Sequence, residues 1–213
     1  MHLFVTGSGT EVGKTYVTCL LLRALRACGR RAVGFKPVCC GPRDDVVRLQ
    51  AAGDPEATPD ELNPVWLRTP AAPYVAAQFE NRPLTAETLA AGFAPLAARF
   101  DHVIVEGAGG WEVPLGVGQS MSDVAVALGL PVLVVVDNRL GALNTTILTV
   151  RAIEARGLRC AGIVLNHLED ERDIASVTNR SVLEEWLGVP VLEDVLHGET
   201  ETDPGWVRRL FGG

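Results

Sequence analysis

The sequence predicts an α/β fold, a mostly parallel sheet covered by helices on both faces, on three observations. Short apolar runs alternate along the chain with stretches of helical periodicity. One run, Pro131-Val132-Leu133-Val134-Val135-Val136, is continuously apolar and rich in β-branched residues, as a strand buried on both faces requires. A glycine-rich loop separates the first apolar run from the first helical stretch, the place where such folds hold anionic ligands.

In chain order, Leu3-Phe4-Val5 reads as the first strand. Lys14 to Cys28 follows as a helix with Val17, Leu21 and Leu25 on one stripe, stopped by Gly29 in the C′ position. Ala32 to Phe35 is the second strand, and His102 to Val105 is the third, between Asp101 and a Gly107-Ala108-Gly109-Gly110 turn. Pro131 to Val136 and Cys160 to Leu165 are the fourth and fifth. Helical patterns fall between them, over Ala86 to Ala98, Ser120 to Leu128, Ala142 to Ala155 and Ile174 to Leu187. The alternation implies right-handed crossovers and a ligand crevice at the carboxyl ends of the strands. Gly53 to Pro83, rich in proline and alanine and without a period, reads as an irregular excursion with one short helix.

Nothing in the middle of the 213 residues resembles a linker, so residues 1–213 read as a single domain. The apolar runs are too short to span a bilayer, and the N-terminal residues lead directly into the glycine loop with no room for a secretory leader. A soluble, cytoplasmic protein with no membrane partner is therefore expected. The five cysteines, Cys19, Cys28, Cys39, Cys40 and Cys160, are odd in number and lack C-x-x-C spacing, and the four histidines are scattered, so free thiols and no zinc site are expected. A formal net charge of −7 argues against a nucleic-acid partner.

The loop Gly7-Ser8-Gly9-Thr10-Glu11-Val12-Gly13-Lys14-Thr15 stands between strand and helix, the context of a P-loop. Its backbone N–H groups can curl around phosphate, Lys14 can reach the β and γ phosphates, and the Thr15 hydroxyl can bind Mg²⁺. Its first glycine lies one position earlier than in G-x-x-x-x-G-K-T, at Gly7 where the pattern would place it at Ser8. Glu106 closes the third strand and Asp45 follows the second by a short loop, so with Thr15 they are candidate Mg²⁺ ligands. A lone acid at a strand end is most often only solvated; the P-loop beside it changes that weighting.

Beyond the P-loop, the chain carries Thr10-Glu11-Val12-Gly13-Lys14-Thr15, then Gly34-Phe35-Lys36-Pro37-Val38, then Val105-Glu106-Gly107-Ala108-Gly109-Gly110-Trp111 through Pro114-Leu115. Together with Leu140-Gly141-Ala142-Leu143-Asn144 and Asn166, these segments resemble the dethiobiotin synthetase family. The resemblance implies that 7,8-diaminopelargonate takes up CO₂ as a carbamate, that ATP phosphorylates it, and that the second amine closes a cyclic urea. It further implies that Lys36 and Lys14 neutralise the carbamate and the moving phosphoryl group while Thr10 hydrogen-bonds the carbamate. Glu11, Val12, Gly13, Lys14, Thr15, Tyr16, Asp45, Glu106, Gly107, Ala108, Gly109 and Asn166 would contact the nucleotide, Asn166 reading the base. Mg²⁺ would be held by Thr15, Asp45 and Glu106. Thr10, Lys36, Cys40 and Gly109 would line the diamine site. Gly141, Leu143 and Asn144 would hold the diamine's carboxylate from the neighbouring subunit of a homodimer.

The chain departs from that family at three places: Cys40 stands where a serine is usual, Gly9 where aspartate is frequent, and no proline loop follows Leu192. Two other readings share the P-loop. An amide-forming ligase such as the cobyrinate synthases would usually bring a glutaminase domain, for which there is no length. A partitioning-type ATPase switch would carry a lysine near the start of the loop, where Gly9 stands.

Overall fold

The apolar runs form the interior of a six-stranded sheet, and the structure, a computed structural model, describes residues 1–211. β1 (Leu3–Gly7) leads through the glycine loop into α1 (Lys14–Ala27) and β2 (Ala32–Phe35). A long excursion follows: β3 (Val38–Cys40), α2 (Asp44–Ala52), α3 (Pro59–Leu62), β4 (Val65–Leu67), α4 (Pro73–Phe79), α5 (Ala86–Ala90) and α6 (Phe93–Ala97). β5 (His102–Gly110) returns to the sheet, and a hairpin of β6 (Pro114–Gly116) and β7 (Gln119–Ser120) precedes α7 (Met121–Leu128). The rest is β8 (Val132–Asp137), α8 (Ala142–Ala155), β9 (Cys160–Asn166), α9 (Ile174–Trp186), β10 (Val191–Val195) and α10 (Pro204–Phe211).

All pairings in the large sheet are parallel, in the order β10-β9-β8-β1-β5-β2. Alternation along each strand splits the core in two. Phe4, Val103, Val105, Val132 and Val134 face one layer; Leu3, Val5, Ile104, Leu133 and Val135 face the other, which packs on Val17, Leu21 and Leu25 of α1. From β1 the chain crosses to β2 on one side, and from β5 it crosses to β8 on the other, so the crevice opens above the carboxyl ends of β1 and β5.

Several expectations need correction. The single helix over Ala86 to Ala98 is two, α5 and α6, because Pro95 has no N–H to give and is accommodated only in a first turn. Gly92 marks the break, where a Cβ would come within 2.9 Å of the Phe35 ring. Gly53 to Pro83 is more ordered than expected: it holds α3, β4 and α4. A capping box starts α3, with the Thr58 N–H donating to Glu61 Oε2 at 2.8 Å and the Glu61 N–H to Thr58 Oγ1 at 3.3 Å. Gly107 to Gly110 is no turn but the end of β5, paired with β1 as far as Gly7 and Gly110. Where a short loop was expected between the second strand and Asp45, β3 intervenes, and Asp45 lies in the first turn of α2. β3, α2, the β6–β7 hairpin, β10 and α10 were not foreseen. Among the described residues no helix is long and apolar enough to cross a membrane.

α2 is seated by Leu49, which is fully buried over Gly34; a Cβ on Gly34 would sit 2.8 Å from Leu49 Cδ2. Leu49→Ala is expected to lower the unfolding free energy by about 2–5 kcal/mol, the range for truncating a core leucine. Urea titration followed by circular dichroism checks it, and an unchanged midpoint would refute the role of Leu49 as the anchor of α2.

Candidate functional site

The P-loop curls tightly enough that its glycines are sterically required. A Cβ on Gly7 would meet Gly9 O at 2.6 Å and Val12 Cγ2 at 2.7 Å, so this position admits only glycine. The Ser8 N–H is spent on Val135 O of β8 at 2.9 Å. Gly13, the N-cap of α1, has φ +86°, and a Cβ there would fall 2.0 Å from Asn166 Nδ2. No side chain caps α1, so its first-turn N–H groups face the loop open to an anion.

Four elements bring charged groups to this point. β5 delivers Glu106, fully buried; the residue after β2 is Lys36, 5% exposed; α1 supplies Lys14 and Thr15; α2 supplies Asp45. Glu106 Oε1 accepts from Thr15 Oγ1 and from Lys36 Nζ, each at 2.7 Å. Lys36 Nζ is also paired with Asp45. Burial alone would pull the Lys36 ammonium down, but the carboxylates of Glu106 and Asp45 outweigh it and hold Lys36 above the ordinary lysine range. Burial would raise Asp45, and Lys36 overcomes it, so Asp45 lies below the usual carboxylate range. Lys14 goes the other way. Its Nζ donates only to Gly9 O, at 3.4 Å, and burial, opposed by Glu106 and helped by Lys36, lowers it to about 8.

A cleft of about 560 Å³ opens beside the cluster, and Thr10, Glu11, Lys36, Cys40, Asp45, Ala108 and Gly109 are among its walls. Burial, then Cys39 and Glu80, raise the Cys40 thiol to about 11, so it is a neutral wall at neutral pH. The hard oxygen donors of Thr15, Asp45 and Glu106 suit Mg²⁺, and Glu106 Oε2 is buried without a partner. At the end of β9, Asn166 Nδ2 donates to Val12 O at 3.0 Å, leaving a buried Oδ1 with no partner as an acceptor. Tyr16 directs its hydroxyl to Glu199 O, tying α1 to the segment after β10. Gly107 lies in β5 between Glu106 and the cleft wall.

Three expected residues stand apart. Gly141, Leu143 and Asn144, at the start of α8, do not line the cleft of their own chain. Conversely, sequence reasoning missed Asn63, which holds the Lys36 carbonyl, and Arg43, which holds Asn63. Their signal was faint, an asparagine before a proline and an arginine before two acids.

Comparison with known proteins follows the same lines. The family model described as "AAA domain" matches residues 1–197. An ATP-dependent dethiobiotin synthetase of Akkermansia muciniphila is 50% identical over 202 residues, covering 95% of each chain. That of Aromatoleum aromaticum is 42% identical, covering 91% of this chain and 89% of its own. Among solved structures, a cobyrinic acid a,c-diamide synthase from Mycobacterium smegmatis with an ATP analog and magnesium has a TM-score of 0.58 at 17% identity, covering 99% of this chain and 91% of its own. The septum site-determining protein MinD of Pyrococcus horikoshii, complexed with Mg-ADP, has a TM-score of 0.58 at 18% identity, covering 98% and 85%. At such identities these two establish the fold alone.

The depressed Lys14 has a measurable consequence. In the free enzyme its ammonium is complete below about pH 7 and lost as pH rises through about 8, whereas a bound polyphosphate restores it. Nucleotide binding is therefore expected to take up close to one proton at about pH 9 and almost none at about pH 6.5. Calorimetry in buffers of different ionisation enthalpy reads this directly, and equal uptake at both pH values would contradict it.

Proposed function

The chain belongs to the ATP-dependent dethiobiotin synthetase family, and from that premise we propose how its residues divide the work of closing the cyclic urea. As an ATP-dependent ligase of biotin biosynthesis, it handles anions at every stage. The observation that carries the residue assignment is the Lys36 ammonium, buried beside the P-loop and held only by carboxylates.

In this reading, the diamine 7,8-diaminopelargonate lies in the cleft and takes up CO₂ as a carbamate between Thr10 and Lys36. The N–H groups of Glu11, Val12, Gly13, Lys14, Thr15 and Tyr16 cradle the phosphates of ATP, with Gly107, Ala108 and Gly109 of β5 as the facing wall. Asn166 reads the base: its Nδ2 is committed to Val12 O, so its Oδ1 is the free acceptor for an exocyclic amine. Thr15, Asp45 and Glu106 would hold Mg²⁺, which would supply charge neutralisation on the phosphates. As the γ-phosphoryl group moves to the carbamate, Lys36 and Lys14 face the growing negative charge without having to be reorganised. Attack by the second amine then closes the ring and expels phosphate. Cys40 offers the substrate packing and at most a weak hydrogen bond.

The start of α8 supports a shared site in a two-fold homodimer. Ala142 donates its N–H to Arg139 O, but the next N–H groups, of Leu143 and Asn144, lack helical acceptors and suit the diamine's carboxylate. Yet Gly141, Leu143 and Asn144 lie outside the chain's own cleft. Leu140, Leu148, Ile174 and Val177 expose apolar surface on and beside α8 and α9.

Phosphate release is expected only when diamine and bicarbonate are both present. Lys36→Gln should lower turnover about 100- to 1,000-fold with much of the nucleotide affinity intact; near-normal turnover would sink the assignment. Asp45→Asn and Glu106→Gln should raise the Mg²⁺ concentration for half activity. For the shared site, Lys36→Gln protein is mixed with Gly141→Trp protein. Mixed dimers regain one intact site if the pocket is shared, and no rescue despite subunit exchange would reject that arrangement.

A further inference from the structure

Lys36 sits one residue beyond β2, so its peptide groups have no strand partner. A single neighbouring segment takes both: the Lys36 N–H donates to Leu62 O at 2.8 Å, and Asn63 Nδ2 donates to Lys36 O at 2.8 Å. Asn63 is 1% exposed and fully used, its second amide hydrogen going to Val65 O and its Oδ1 accepting from Arg43 Nε at 3.0 Å. Arg43 spends the rest of its fork on the same segment, from Nη2 to Asn63 O at 2.8 Å and Pro59 O at 3.0 Å, and from Nη1 to Asp60 Oδ1 at 2.9 Å.

Arg43 is also the N-cap residue of α2, the helix whose second residue is Asp45. The contacts therefore close a ring. It runs from the Lys36 main chain through Asn63 and Arg43 into α2, and through the Asp45 carboxylate back to Lys36 Nζ. We propose that Arg43 and Asn63 are positioning residues that set where Lys36 and Asp45 meet, Asn63 by holding the Lys36 backbone and Arg43 by fixing the start of α2. The proposal rests on the reading of Lys36 and Asp45 given above.

The ring has a physical need. Asp45 is 39% exposed on a helix whose N-cap side chain makes no capping bond, so its pairing with Lys36 does not place it alone. A surface carboxylate left free to swing would gain water and lose Lys36 at little cost. Four directional hydrogen bonds from one planar fork remove that freedom, and the guanidinium lies 5.0 Å over the Trp66 ring. Lysine could not reproduce it, having neither the fork nor the plane.

The test is kinetic, on the full-length enzyme, with folded fraction checked by circular dichroism. Arg43→Ala is expected to lower kcat about 10- to 100-fold and to raise the Mg²⁺ concentration for half activity, with smaller changes in KM for the diamine; this is the scale of outer-shell changes at metal sites. Arg43→Lys should not recover it. Arg99→Ala, which removes an exposed pair to Glu61 of the same α3, should leave kcat unchanged and reports any general effect of loosening that helix. In an Asp45→Asn background, Arg43→Ala should cost little more, because its effect travels through Asp45. Equal losses in both backgrounds, or wild-type kcat in Arg43→Ala, would overturn the proposal while leaving Asp45 in place. Normal turnover and Mg²⁺ response by Asp45→Asn alone would instead reject the Asp45 assignment, and the proposal with it. Should Arg43→Ala fail to fold, Arg43→Lys and Asn63→Ser are read by the same cycle.

Discussion

The structure depends on a cluster of opposite charges buried at the crossing point of its sheet. Removing Glu106 and Lys36 from water costs several kcal/mol per ion, and only close pairing with further hydrogen bonds offsets such a cost. That pairing fixes four elements against one another, because Glu106, Lys36, Thr15 and Asp45 come from β5, the end of β2, α1 and α2. Two cations, Lys14 and Lys36, balance two carboxylates, Glu106 and Asp45, so the cluster is locally neutral. In the proposed reading a polyphosphate would break that balance, and Glu106 Oε2, buried without a partner, would be an oxygen donor left for a divalent cation.

How much of this could be read from sequence follows from the kind of force involved. Strands buried on both faces announce themselves as unbroken apolar runs, and β1, β2, β8 and β9 were found that way. β10 was not, because Glu193 and Asp194 interrupt it at the sheet edge, where one side needs no apolar partner. The P-loop was legible because its glycines answer to backbone sterics, as the contacts a Cβ would make at Gly7 and Gly13 demonstrate. α2 was not, since nine residues with two acids at their head offer little more than a weak stripe. Arg43 and Asn63 were invisible for a different reason. They act on main-chain atoms of residues distant in sequence, and no spacing rule records a bond from Asn63 to the Lys36 carbonyl.

The fold by itself does not separate this enzyme from a diamide synthase or a cell-division ATPase, both of which superpose at a TM-score of 0.58. Separation comes at individual positions. Gly9 is one: a Cβ there would meet only Val12 Cγ1, at 3.8 Å, so packing would accept a side chain, and the missing lysine of the switch ATPases is a difference of chemistry and not of space. Lys36 is another. It stands just past the end of β2 on the cleft wall, and in the proposed reaction a cation there would serve a group arriving from the cleft.

Cys40 shows the same hierarchy from the opposite side. It lies on β3 at the cleft wall, and burial keeps its thiol neutral, at about 11. Replacing a serine hydroxyl by this thiol weakens one neutral hydrogen bond, a change of about 1 kcal/mol. A contact to a developing phosphoryl charge is worth about 3–4 kcal/mol in a site closed to water. With the reactive end anionic, as proposed above, Lys36, Lys14 and the loop amides would set its position, and the wall at Cys40 would have only to match its shape. Cys40 therefore departs from the family pattern where one neutral contact is at stake, whereas Glu106 accepts from both Thr15 and Lys36, and removing Lys36 would leave a fully buried carboxylate without its paired cation.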